Sequence, residues 1–85
     1  MPQVINQTDV VDMFVVYDRP RDQPDAFVVR RHYVFLRNGA PQFACDASPV
    51  AVTPTLDAAR AAVPRRRTRI PRDVDDDPAI VEVWL

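Results

Sequence analysis

The run Ala26–Leu36 (AFVVRRHYVFL) constrains the fold more than any other stretch of this chain. Val28, Val29 and Val34 with Phe27, Tyr33 and Phe35 make it the longest apolar, β-prone run, and such side chains pack best on a pleated surface. Alternation along a strand separates Phe27, Val29, Arg31, Tyr33 and Phe35 from Val28, Arg30, His32, Val34 and Leu36. The first set carries three aromatics and is expected to face the core. The second, polar in its middle, is expected to be only partly covered. Asn38-Gly39 follows at once, and both residues accept the positive φ of a type I′ hairpin turn. Gly39 is the only glycine in the chain. The returning strand is then Gln42–Asp46, with Pro41 indicating an edge position. In this register His32, the only histidine, faces Cys45, the only cysteine.

The remaining elements assemble around that hairpin. Met13–Tyr17 (MFVVY) reads as a strand stopped by Asp18-Arg19-Pro20, and Asp18–Asp25 as a rigid loop built on two prolines and turn-capping aspartates. One helix is expected before Pro64, about ten residues long, with Thr53 as N-cap and Pro54 at its first position, or Thr55 as N-cap in a competing register. Leu56, Ala59 and Val63 share its apolar face, and Asp57 and Arg60 point outward. A helix this short is not stable alone in water and has to pack on the sheet. A short extended piece is compatible with Thr68–Ile70. Ala79–Leu85 (AIVEVWL) reads as a strand with Ile80 and Trp84 on one face and Val81, Val83 and Leu85 on the other. Apolar residues on both faces imply an internal strand, or an edge covered by a partner. Residues 1–12 are mostly polar, with Val4–Ile5 as a candidate edge strand, and read as an extension on a core spanning 13–85.

The order strand, strand, strand, helix, strand predicts a single α+β domain, residues 1–85. It has a largely antiparallel sheet of about four strands and one helix on one face. One sheet face is left with incomplete cover, which predicts a weak homodimer through that face or an edge. Stability for 85 residues is expected at about 4–13 kcal/mol.

Composition narrows the function classes. The formal net charge is −1, so no global field steers the chain to nucleic acid or to an anionic membrane. No apolar run approaches the ~20 residues of a membrane span. The opening MPQVINQTDVVD lacks the basic and apolar regions of a signal peptide, and the lone cysteine excludes an intrachain disulfide; a soluble cytoplasmic protein is expected. All eleven basic residues are Arg and eleven of twelve acidic residues are Asp, the bias of GC-rich coding sequence, which reads as bacterial or phage.

Several stretches carry a resemblance. Val15-Val16-Tyr17-Asp18-Arg19-Pro20, Pro24–Arg30, Leu56–Arg60 with Pro64, and Asp76–Trp84 together resemble a group of small, uncharacterised bacterial and prophage proteins. The resemblance covers Met13–Leu85. It implies one compact domain beginning near Met13 and carries over no activity, cofactor or site residue.

Three constellations stand out chemically. The His32/Cys45 pair juxtaposes imidazole and thiol, but a nucleophilic dyad also needs an oxyanion site and a pocket, and no glycine-rich loop supplies one. Asp73, Asp75, Asp76 and Asp77 offer hard oxygen ligands without the glycine and terminal glutamate of a calcium loop, so no metal or cofactor is expected. Arg65, Arg66, Arg67, Arg69 and Arg72 form the most conspicuous charge block. Guanidinium suits phosphate, yet no aromatic is interleaved for base stacking and the aspartates that follow oppose a polyanion. These five arginines, with Trp84, are the expected partner-binding residues. The leading expectation is a small non-enzymatic module, of adaptor or inhibitor type, that binds a protein. The alternative is a nucleic-acid-binding accessory protein using Arg65–Arg72, and the third is an enzyme built on Cys45 and His32.

Overall fold

The computed structural model describes residues 10–85; the Val4–Ile5 expectation lies outside them. The sequence of elements is β1 (Val10–Asp18), β2 (Phe27–Arg37), β3 (Ala40–Cys45), β4 (Ala51–Thr53), α1 (Leu56–Ala62), β5 (Arg69–Pro71) and β6 (Ile80–Trp84). Every strand pairing is antiparallel, and the sheet order is β3-β2-β1-β6-β5, with β4 pairing the start of β2 beside β3. The domain is thus α+β with one helix, but its sheet has six strands rather than about four. Of the two additional strands, β5 falls on the short extended piece expected at Thr68–Ile70, displaced by one residue, whereas β4, with three residues, is too short for an alternation pattern to declare it.

β2 organises the sheet, pairing with β1, β3 and β4. The hairpin has the expected register, Arg37 against Ala40 through His32 against Cys45. Asn38 and Gly39 both take positive φ, 52° and 78°, as a type I′ turn requires. β1 starts at Val10, so Val10–Asp12, expected in an extension, belong to the sheet, where they pair with Tyr33–Phe35.

The helix begins at Leu56, with Thr55 as N-cap: its hydroxyl accepts from the Ala58 N–H at 3.1 Å. Thr53 as cap is therefore corrected. That residue closes β4 opposite Phe27, which leaves Pro54 outside the helix. With seven residues α1 is only about 10 Å long, whereas the eleven residues of β2 extend about 36 Å. It covers one end of one sheet face. There Ala59 and Val63 pack on Phe14, Val16 and Val29, joined by Phe27, Ala51, Leu56 and Trp84.

This length mismatch corrects the expected core face of β2. Val29 and Phe27 meet the helix, but Arg31, Tyr33 and Phe35 lie beyond its reach and are only half-buried. Val28, on the opposite face, is fully buried between its strand partners Tyr17 and Val52. The faces of β6 also differ from simple alternation. The register passes from Val16↔Glu82 to Tyr17↔Ile80, leaving Val81 as an unpaired bulge residue. Ile80 thereby joins Val83 on the face away from the helix, while Val81 packs with the helix-side core. β6 is internal, between β1 and β5.

Candidate interaction surface and its polar cluster

The helix-side face is closed by charge as well as packing. Glu82 is only 2% exposed, although a carboxylate is among the least favourable groups to bury. Its oxygens accept from Arg60 Nε at 3.1 Å and Nη2 at 2.8 Å, and from Trp84 Nε1 at 2.7 Å; Arg69 approaches to 3.8 Å. Burial pushes the Glu82 carboxyl up, but hydrogen bonds from Arg60 and Trp84 and the charges of Arg60 and Arg69 reverse this and hold it below its ordinary value. Arg60, expected to point outward, instead reaches back over the sheet.

A second ionic chain runs along the same face. Asp12 accepts from Arg67 Nη1 at 2.7 Å and Arg31 Nε at 3.1 Å, and Arg31 also lies 3.7 Å from Asp46. Arg67 stacks 4.8 Å above the Phe14 ring, and Arg31 stacks 4.9 Å from the Tyr33 ring centre.

The predicted arginine block is therefore divided. Arg67 is held by Asp12 and Phe14, Arg69 leans on Glu82, and Arg72 donates to the backbone carbonyls of Asp76 and Asp77. Arg65 and Arg66 are exposed and make no ion pair among the described residues. Trp84 packs against the helix-side core and uses its N–H on Glu82. The aspartate run shapes its own turns: Asp76 accepts from the Asp73 N–H, Asp73 from that of Asp75, and Asp77 from that of Ala79.

The opposite face has no covering helix among the described residues. Met13, Val15, Val34, Phe43, Ile80 and Val83 line a shallow apolar cavity of about 270 Å³ there. Phe43 is 79% exposed, and Val11 and Leu36 on the same face are also exposed, so apolar surface continues beyond the cavity. At the cavity wall the Tyr17 hydroxyl lies 3.1 Å from His32 Nε2, and Cys45 Sγ lies 3.9 Å from the same nitrogen. A neutral imidazole with its proton on Nδ1 can accept from the Tyr17 hydroxyl, while the single Cys45 S–H is directed to the Asp46 carbonyl. Burial pushes the Tyr17 phenol up, with Cys45 adding to the effect, so the phenol keeps its proton. Cys45 Sγ also lies 3.5 Å from the Asp46 carbonyl, to which its S–H donates. The sequence located the His32/Cys45 pair; Tyr17 entered only with the β1–β2 register, which no local signal encodes.

Burial, followed by the nearby Arg30 charge, holds the His32 imidazole below its ordinary value of 6.5. The unfolded chain therefore takes up a proton first as pH falls. The stability contributed by neutral His32 is complete above pH of about 6.5 and is lost progressively as pH drops toward the folded-state value. Urea unfolding is expected to show a lower midpoint at about pH 5.5 than at about pH 7.5, with His32→Gln removing most of that difference. Equal wild-type midpoints would contradict it.

Compared with protein-family models, curated proteins and solved structures, the chain finds no match. No helix among the described residues is long and apolar enough to cross a membrane.

Proposed function

We propose that this protein is a small interaction module that binds a protein partner through the sheet face opposite α1, without chemistry of its own. The observation that supports this reading is the apolar concavity centred on Met13, Val15, Val34 and Val83 with Phe43 standing at its rim. Its volume of about 270 Å³ lies just below the roughly 300–1,000 Å³ of small-molecule sites. A cavity of that size accommodates one large apolar side chain presented by another protein, the usual form of an anchor residue. Tyr17 and His32 add polar groups at its wall, which would orient that anchor.

The arginines weigh toward protein and away from nucleic acid. A polyanion reader needs several unpaired cations along one track, and here Arg67, Arg69 and Arg72 are already engaged with carboxylates or carbonyls. Arg67, Arg69 and Trp84 lie on the helix side with Phe14 and Glu82, and none of the arginines lines the apolar concavity, so the block, with its exposed members Arg65 and Arg66, belongs to a different surface from the proposed contact.

The test is comparative affinity capture with the wild-type chain, Phe43→Asp and the Arg65→Ala/Arg66→Ala double variant. The expected result is a partner retained by the wild type and by the arginine double variant and lost with Phe43→Asp, whose exposed site leaves folding intact. A partner held equally by Phe43→Asp would place the docking surface elsewhere. Salt-sensitive retention of DNA or RNA that disappears with the arginine changes would replace this reading with the nucleic-acid one.

A further inference from the structure

We propose that two copies of this chain pair through the outer edge of β3, antiparallel and centred on Phe43, to make a continuous sheet across a two-fold axis. The proposal concerns the strand edge and does not depend on what occupies the apolar face.

The backbone of β3 supports it. The Asp46 N–H donates to the Arg31 carbonyl at 3.2 Å, which fixes the parity of the ladder: Gln42, Ala44 and Asp46 direct their backbone groups to β2. Pro41, Phe43 and Cys45 direct theirs outward. That edge therefore offers the carbonyl of Pro41, both groups of Phe43 and the N–H of Cys45. An antiparallel copy centred on Phe43 uses them as a set. The two Phe43 residues exchange two bonds, and each Cys45 N–H donates to the Pro41 carbonyl of the other chain. In the single chain the Gln42 side chain occupies that carbonyl at 3.1 Å and would yield it. The proline nitrogens, which cannot donate, fall at the two ends of the pairing, where the loss is smallest.

Three features favour a second copy over a foreign strand. Natural edges are usually guarded by charge, yet β3 (APQFAC) carries none, so self-pairing meets no like-charge repulsion. The two-fold axis sets Phe43, 79% exposed, against its own counterpart as a cross-strand aromatic pair. Growth also stops at two. The far edge, β5, has only three residues, one of them Pro71 and another Arg69, and cannot template a further chain. An interface this narrow makes a weak dimer, in the micromolar range or above.

The test uses sedimentation equilibrium on the full chain from micromolar to millimolar concentration, together with disulfide trapping in a Cys45→Ser background. The expected result is a doubling of mass with concentration, and covalent dimer as the main oxidised product of Phe43→Cys. Facing residues of a hydrogen-bonded pair lie about 5.5 Å apart at Cα, within disulfide reach. Ala44→Cys should trap poorly, because in this register it faces Gln42 of the other chain. Phe43→Pro deletes an outward donor and no internal bond, and should be monomeric with an unchanged circular dichroism spectrum. A monomeric mass throughout the range would overturn the proposal. So would a dimer that survives Phe43→Pro, or one trapped more efficiently at Ala44→Cys.

Discussion

Glu82→Ala is expected to lower the free energy of unfolding by about 2–3 kcal/mol, read as a fall in the urea midpoint at unchanged slope. The change removes the acceptor for Arg60 and for the half-buried Trp84 indole, and leaves that N–H without its partner. Arg60→Ala should lower the midpoint further than Glu82→Leu does. The first variant strands a carboxylate that is 2% exposed, whereas the second leaves a guanidinium free to turn into water. The paired Arg60→Met/Glu82→Leu chain should regain most of the loss, because apolar groups of similar volume need no desolvated charge. If Arg60→Ala proves as stable as the parent, the ion pair is not what closes the helix onto the sheet. The pH dependence follows from the depressed Glu82 value. Its contribution is complete above the unfolded value of about 4.5 and disappears as pH falls through the lower folded value. Glu82→Leu should therefore flatten the acid limb of the stability curve, where Asp12 remains as the other depressed carboxyl, held down chiefly by its hydrogen bond from Arg67.

Phe14→Ala should cost more, about 3–5 kcal/mol, the usual range for emptying a buried aromatic site. Phe14 pairs with Arg31 and Trp84 across the sheet, packs in the cluster with Ala59 and Val63, and carries Arg67 on its outer face. Against a total of about 4–13 kcal/mol, such a loss leaves a marginal or unfolded chain at 37 °C. Phe14→Leu retains most of the volume and should cost under half as much. A double-mutant cycle with Arg67→Ala should show coupling, because that guanidinium loses its aromatic platform when the ring is removed. Phe14→Ala unfolding at the parent's denaturant midpoint would show that this cluster is not the core.

The β2–β3 hairpin was legible to the register because Asn38-Gly39 is a local signal with a steric cause, and period-two alternation then carries it to His32 and Cys45. β6 was legible as a strand, but its faces were not, since the bulge at Val81 is imposed by pairing with β1 and leaves no mark in AIVEVWL. Arg60 looked like a solvated helix residue because its partner lies twenty-two positions away on another element. Asp12 looked like part of a loose arm for the same reason: Arg67, fifty-five positions away, gives it a place. The Thr55 cap was within reach as one of two registers, and β4 opposite β2 decided between them by claiming Thr53. The candidate surface was foreseen as incompletely covered sheet, while its location followed only from the helix being seven residues long.

The placing of β6 beside β1 has a consequence for how this protein is made. β1 and β2 are neighbours in sequence and can pair early, but the other side of β1 waits for Ile80–Trp84. Loop closure over such a span is slow relative to local hairpin formation. During synthesis the strand MFVVY therefore leaves the ribosome with one ladder made and the other open, and α1 emerges before the carboxylate that will hold Arg60 exists. The nascent domain passes through an interval as an unlatched hairpin, the stage at which chaperones and proteases would find it.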